Sequence, residues 1–274
     1  MTVETHVHIV AGDEQKFPRQ VGAQPGWVRT MTAEDLLGFM DLAGVERAVL
    51  VQGYSAYKDD NSYVADAVAR YPKRFAGVGV IDPTRADGPE KLSYWITERG
   101  LRGVRLMLRA NEMPIDHPGV VPVLARAADL GIPVCIITGV AQLKTVAAFL
   151  QRFPALPIAL DHIAYPELAA GAPYDVVRPL FDLARYANCY LKFSSETLYE
   201  AARGKSTIAD FFPRLIEHFG AQRLMWGSNF PATHDRTYQG LVEFARTELR
   251  FLSDEDRRWM FGETALTLWP MLRG

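Results

Sequence analysis

The 274-residue chain carries 30 Lys and Arg against 32 Asp and Glu, a formal charge of -2, which lacks the basic footprint of a nucleic-acid binder. Its 49% hydrophobic and 23% charged residues suit an ordinary soluble globular protein, and no apolar run reaches the roughly 18 residues that a membrane span needs. That length fits one large domain or two smaller ones.

From the N-terminus the chain enters a strand over Val3–Val10, with no basic and apolar leader before Thr5-His6, so a secretory signal is not expected. His6 and His8 sit two apart on this strand, and a strand's period of two points both imidazoles at one spot. The stretch Ala11–Met31 has little periodicity and contains Pro18, Gly22, Pro25 and Gly26. A loop this long in a compact domain is more often functional than idle; here it reads as a lid over a pocket, packed down by Phe17 and Trp27.

Further strands are expected at Arg47–Gln52, Gly77–Ile81, Gly103–Leu108, Pro133–Thr138, Ile158–Ile163, Cys189–Ser194 and Leu224–Gly227. Between them, apolar spacings of three and four predict helices over Ala33–Ala43, Asp60–Tyr71, Pro89–Arg99, Val120–Leu130, Ala141–Phe153, Tyr174–Tyr186 and Ile208–Phe219. Gly44, Gly100, Gly131 and Gly220 follow four of these, where a left-handed terminus is wanted. Eight strands alternating with helices imply parallel pairing through right-handed crossovers. In this length they suit a single-domain α/β fold over 1–274, a (β/α)8 TIM barrel; a doubly wound open sheet has the same strand count. Cys135 and Cys189 lie in apolar runs and read as buried thiols rather than a disulfide, which fits a reducing cytoplasm.

A barrel of this kind carries its site at the C-terminal strand ends. Strand one offers His6 and His8, and strand two is followed by Tyr54, Ser55 and Tyr57. Strand four offers Arg105 and Arg109, which share a face with Met107, and strand five ends at Thr138. Strand six carries Asp161-His162, strand seven Lys192 through Ser195, and strand eight leads to Asn229. Arginine inside a barrel is costly unless paired. Arg105 therefore reads either as the partner of a core carboxylate or as a fork on a substrate carboxylate. The remaining histidines, His117, His218 and His234, read as surface or helix residues, with His234 able to edge the pocket.

The ordered set Glu4-Thr5-His6-Val7-His8, Gln52-Gly53-Tyr54-Ser55-Ala56-Tyr57 with Asn61, Arg74 through Pro83, Gly103-Val104-Arg105, Leu160-Asp161-His162-Ile163, Tyr190 through Ser194 and Trp226-Gly227-Ser228-Asn229-Phe230-Pro231 resembles the amidohydrolase superfamily. Within it, the branch with 2-pyrone-4,6-dicarboxylate hydrolase and galactarolactone isomerase is the nearest in pattern. The resemblance spans nearly the whole chain and implies a distorted (β/α)8 barrel that opens a small carboxylated lactone.

It further implies catalytic roles for His6, His8, His162 and Asn229, with Arg105, Arg109, Tyr54, Ser55, Tyr57, Thr138 and Ser194 around the substrate. Metal-dependent members use a strand-five histidine and a strand-eight aspartate. Thr138 and Asn229 stand in those places here, so the expectation is catalysis without a cofactor, with zinc on His6, His8 and His162 as the alternative. Asparagine cannot take a proton near neutral pH. Hydrolysis then needs another base, or a substrate hydroxyl replaces water and the lactone is isomerised. A carboxylate-binding barrel without catalysis is the remaining reading.

Overall fold

A computed structural model of the chain describes residues 1–20, 29–109, 113–233 and 235–274. Its strands are short apolar runs buried almost throughout, as parallel strands covered on both faces must be. They are β1 (Val3–Val7), β2 (Arg47–Val51), β3 (Phe75–Val80), β4 (Val104–Met107), β5 (Val134–Ile137), β6 (Ile158–Leu160), β7 (Cys189–Phe193) and β8 (Leu224–Trp226). Each pairs in parallel with the next, from β1 to β8. Helices occupy the connections, giving the expected (β/α)8 barrel in one domain.

The seam between β8 and β1 is closed by direct bonds. The Asn229 N–H donates to the His6 carbonyl and the His8 N–H to the Phe230 carbonyl, both at 2.8 Å. The buried Glu4 carboxylate accepts from the Ser228 N–H and the His6 N–H, each at 2.8 Å. Gly227 is required at this seam, because a Cβ there would come within 2.4 Å of the His6 Cβ.

Inside the barrel, Val3, Val49, Val51, Ala76, Val78, Cys135, Ala159 and Met225 form one buried cluster with Trp269 and Leu272. Trp269 closes it from below and donates its indole N–H to the Arg102 carbonyl at 3.0 Å. The other strand faces pack against the helices in a larger cluster. The helix Ala33–Ala43 shows how the sequence sets such a border. Thr32 and Asp35 cap its start reciprocally, and Gly44 ends it at φ 64°.

Two expectations need correction. The stretch read as one helix over Tyr174–Tyr186 is a 3-10 turn (Asp175–Val177), a short α-helix (Arg178–Asp182) and another 3-10 turn (Leu183–Arg185). Pro179 has no N–H to continue an α-helical ladder through that point. Helical structure after β8, at Tyr238–Glu248 and across 254–268, went unpredicted.

The long segment after β1 is closed at its base by an antiparallel bridge, Val10 to Met31. Phe17 packs on Tyr63 with ring centroids 4.8 Å apart, and Gln20 N–H donates to the Ala56 carbonyl at 3.0 Å. Trp27 and the middle of the expected lid lie outside the described residues.

Candidate active site

The strand ends converge on a cavity of about 210 Å3 lined by His8, Tyr54, Ser55, Lys58, Arg105, Met107, Arg109, Ile137, His162, Tyr165, Glu196 and Asn229. It joins a wider groove of about 690 Å3 through Arg109, His162, Tyr165 and Glu196, which border both. Seven of the residues singled out from sequence therefore meet here: His8, His162, Asn229, Arg105, Arg109, Tyr54 and Ser55. The pleat explains the pair Arg105 and Met107, which are two apart on β4 and share its inner face.

Beneath the cavity lies a buried charge cluster. Asp161, at the end of β6, accepts from the Arg105 Nε–H at 2.7 Å. Lys192 Nζ, from β7, lies 3.4 Å from Asp161 Oδ1, and His6 Nδ1 lies 3.2 Å from the same oxygen. Burial works to raise the Asp161 pKa, but the facing His6 ring, Lys192 and Arg105 outweigh it and hold the carboxylate well below its ordinary range. One carboxylate thus faces two fixed cations. Among the described residues the Arg105 Nη atoms have no hydrogen-bond partner, and Arg105 lines the cavity. The pairing with a core carboxylate is present: one edge of the guanidinium is spent on Asp161, and its other edge is not. Arg109 donates to the Tyr165 hydroxyl at 3.0 Å.

The imidazoles form a tight group, with ring centroids 5.1 Å apart for His6 and His8 and 4.8 Å for His6 and His162. Burial lowers the His8 pKa to about 4 and the His162 pKa to about 3, so both rings are neutral at pH 7. His8 Nδ1 is 2.8 Å from the Val51 carbonyl, which can only accept, so the proton sits on Nδ1. Nε2 lies 3.3 Å from Asn229 Oδ1. His162 Nδ1 lies 2.9 Å from Ser194 Oγ.

His162 owes its place to an unusual backbone. Residues His162, Ile163, Ala164 and Tyr165 all have φ between 50° and 56°, a left-handed turn that costs roughly 1–2 kcal/mol for each such L-residue. Asn229 also has positive φ, 58°, a region that asparagine tolerates better than most. Strain of this kind concentrates where side chains must be aimed.

Four expected positions lie off the cavity. The Tyr57 hydroxyl accepts from the Ala11 N–H at 2.8 Å and pins the long loop instead of a substrate. The Thr138 hydroxyl donates to Gln142 Oε1 at 2.6 Å. Ser194 is buried behind His162, and His6 behind His8 against Asp161. Two other motif residues are structural: Asn61 brackets Val80 through both its N–H and carbonyl, and Gln52 holds the carbonyls of Lys58 and Asp60. His117 accepts from the Gly119 N–H and His218 stacks on Phe181, away from the site as expected. His234 is outside the described residues.

The sequence signature of the amidohydrolase family matches residues 3–271. The chain belongs to that family. Among curated amidohydrolase relatives, an L-fucono-1,5-lactonase from Burkholderia ambifaria is 28% identical over 247 residues, covering 86% of this chain and 84% of that one. A D-galactarolactone isomerase from Agrobacterium fabrum is 27% identical over 270 residues, covering 93% and 86%. Among solved structures, a protein from Pseudomonas putida superposes with a TM-score of 0.79 at 25% identity, covering 98% and 97%. Its assignment as a 2-pyrone-4,6-dicarboxylic acid hydrolase is itself provisional.

A solved amidohydrolase from Burkholderia multivorans, 20% identical with a TM-score of 0.76, holds bound zinc. Among the described residues no group of three or more His, Cys, Asp or Glu side chains is arranged to hold an ion. His6 leaves both ring nitrogens without a hydrogen bond, while Val51 and Ser194 hold His8 Nδ1 and His162 Nδ1, which leaves Nε2 as the only nitrogen either ring could offer an ion. The one carboxylate in the cluster is already bracketed by Arg105 and Lys192, whose charges would oppose a dication.

Sequence reasoning missed Glu196, Lys58 and Tyr165, and named Asp161 and Lys192 without giving them a role. Glu196 lies two residues past Ser194 in the helix Ser195–Ala201, just beyond the end of β7. Tyr165 reaches the cavity only through the left-handed turn, which has no periodic signal.

Proposed function

We propose that this protein opens a small carboxylated lactone by hydrolysis, without a metal. The observation that carries the reading is the cationic face of the cavity. Arg105, Arg109 and Lys58 line a space of small-molecule size whose floor holds two cations against Asp161. Such a site attracts a carboxylate and also the negative charge that grows on a lactone carbonyl oxygen during attack. Arg105 and Arg109 clamp the carboxylate and fix the ring, with Tyr54 and Ser55 at the same wall. His162, held by Ser194, borders the reacting carbonyl. The curated relatives, which act on lactones by name, support this substrate class.

Isomerisation is the second reading, favoured by one observation. The side chain at the end of β8 that faces His8 is the neutral Asn229, and attack by a hydroxyl already on the substrate gains from high effective concentration. No described helix is long and apolar enough to cross a membrane, and both thiols, Cys135 and Cys189, are free and buried; we place the protein in the cytoplasm.

The test is turnover of L-fucono-1,5-lactone, D-galactarolactone and 2-pyrone-4,6-dicarboxylate in 18O-labelled water, followed by NMR and mass spectrometry. An opened acid with one solvent oxygen supports hydrolysis. A rearranged, unlabelled lactone establishes isomerisation. Binding of all three without turnover leaves a carboxylate-binding barrel and overturns both catalytic readings.

A further inference from the structure

Opening a lactone requires a group that takes a proton from the attacking oxygen and returns it to the leaving one. Asn229 cannot do so, and the other candidates fail one by one. Asp161 is nearest the floor, but Arg105, Lys192 and His6 bracket it and it does not line the cavity. Glu4 is wholly buried, with its oxygens occupied by the Ser228 and His6 N–H groups. His8 and His162 face the cavity, yet burial makes both weak bases, with pKa values of about 4 and 3.

Glu196 differs on each count. Its carboxylate borders the small cavity and the outer groove, at their junction. Oε1 accepts from Asn229 Nδ2 at 3.3 Å, and Oε2 lies 3.6 Å from His162 Nδ1. The side chain is 43% exposed against 3% for His162, so water and substrate can reach it. We propose that Glu196 is the general base, occupying from the end of β7 the position that a β8 acid would serve.

The assignment rests on the lactone-opening reading and covers both of its routes. In hydrolysis, a water proton passes to Glu196 as the water oxygen bonds to the carbonyl carbon, and the carbonyl π pair moves onto oxygen. Collapse breaks the ring C–O bond, and the departing alkoxide takes the proton back from Glu196, for a net addition of one water. In isomerisation, the proton comes from a substrate hydroxyl, the new ring C–O bond forms as the old one breaks, and nothing is added. Asn229 becomes a positioning residue, its amide N–H holding one carboxylate oxygen so that the other faces the reacting atom. Burial raises the Glu196 pKa above the ordinary carboxylate value while the Asn229 contact opposes it.

The experiment compares wild type with Glu196→Gln, Glu196→Asp and Glu196→Ala on the three lactones named above, recording kcat, KM and their pH dependence. Expected for Glu196→Gln is a kcat loss of roughly 10²–10⁴-fold with KM little changed, and disappearance of the rising limb at low pH. Glu196→Asp retains that limb, and added formate restores turnover to Glu196→Ala. A Glu196→Gln protein whose kcat and pH profile match wild type overturns the base while leaving lactone opening intact. A wild type that turns over none of the three overturns the functional reading, and the base with it. Circular dichroism melts of all variants separate loss of chemistry from loss of fold.

Discussion

The carboxylate of Asp161 and the guanidinium of Arg105, 56 residues apart in the chain, meet at 2.7 Å in the buried floor of the pocket. The pair is unbalanced, since Lys192 faces the same carboxylate. Asp161→Asn should therefore destabilise the protein more than Arg105→Met does. The first leaves two buried cations facing each other; the second leaves one cation still paired. Breaking a buried pair costs about 3–5 kcal/mol, and denaturant unfolding should place Asp161→Asn in that range with Arg105→Met below it. Arg105→Met should also raise KM for a carboxylated lactone at least tenfold, in line with roughly 1.5–3 kcal/mol for a charged hydrogen bond. An unchanged KM would remove the clamp.

Asn229→Asp introduces a carboxylate where Nδ2 now donates to Glu196 at 3.3 Å. Two carboxylates so close cannot both ionise easily, so the pair titrates higher than Glu196 alone. The expected result is faster hydrolysis, with the low-pH limb of kcat/KM moved to higher pH. A pH-rate profile identical to wild type would show that the two side chains do not share the reacting atoms.

Tyr57→Phe removes the hydroxyl that holds the Ala11 N–H. Loss of the bond should cost about 1 kcal/mol of stability and leave KM for a carboxylated lactone unchanged, because Tyr57 does not line the cavity. A rise in KM alone would return Tyr57 to the substrate.

Stability should climb as pH rises from 4.5 to about 6.5. In that window the native protein holds His8 and His162 neutral, with pKa values of about 4 and 3, and burial pushes His6 in the same direction. The unfolded chain protonates these rings below 6.5, binds more protons and gains on acidification. Glu4 opposes this: burial lifts it to about 7, so its native proton stabilises the fold at low pH and the gain fades as pH rises towards 7. Glu196, also raised above the ordinary carboxylate value, acts in the same sense as Glu4, and three groups against two leave the net slope positive. Thermal melts from pH 4.5 to 8 should show the melting temperature rising to a maximum near pH 6.5–7; a flat or falling curve below 6.5 would contradict the neutral imidazole group.

The barrel was legible because its strands are short apolar runs with helical periodicity between them, and all eight were placed within a few residues. The helical stretch 254–268 escaped because it contains a π-turn at Trp259–Glu263, which breaks a simple repeat, although it supplies the plug Trp269 follows. Arg105 on β4, and His8 and Arg109 one and two residues past the ends of β1 and β4, could be placed by counting in twos. Tyr57 and Thr138 could not be separated from their neighbours that way, since short turns after β2 and β5 decide where their hydroxyls go. Arg105 shows a further limit: pairing and ligand binding were opposed as alternatives, although a planar fork with several donors has room for both.

His8 and Asn229 are 221 positions apart and meet only across the β8–β1 seam. Loop closure over such a separation is among the slow steps of folding. Catalytic competence is therefore a reporter of the last contact to be made: during refolding, helix content should return before turnover does, and the lag between the two measures the time the chain spends as an open, unsealed cylinder.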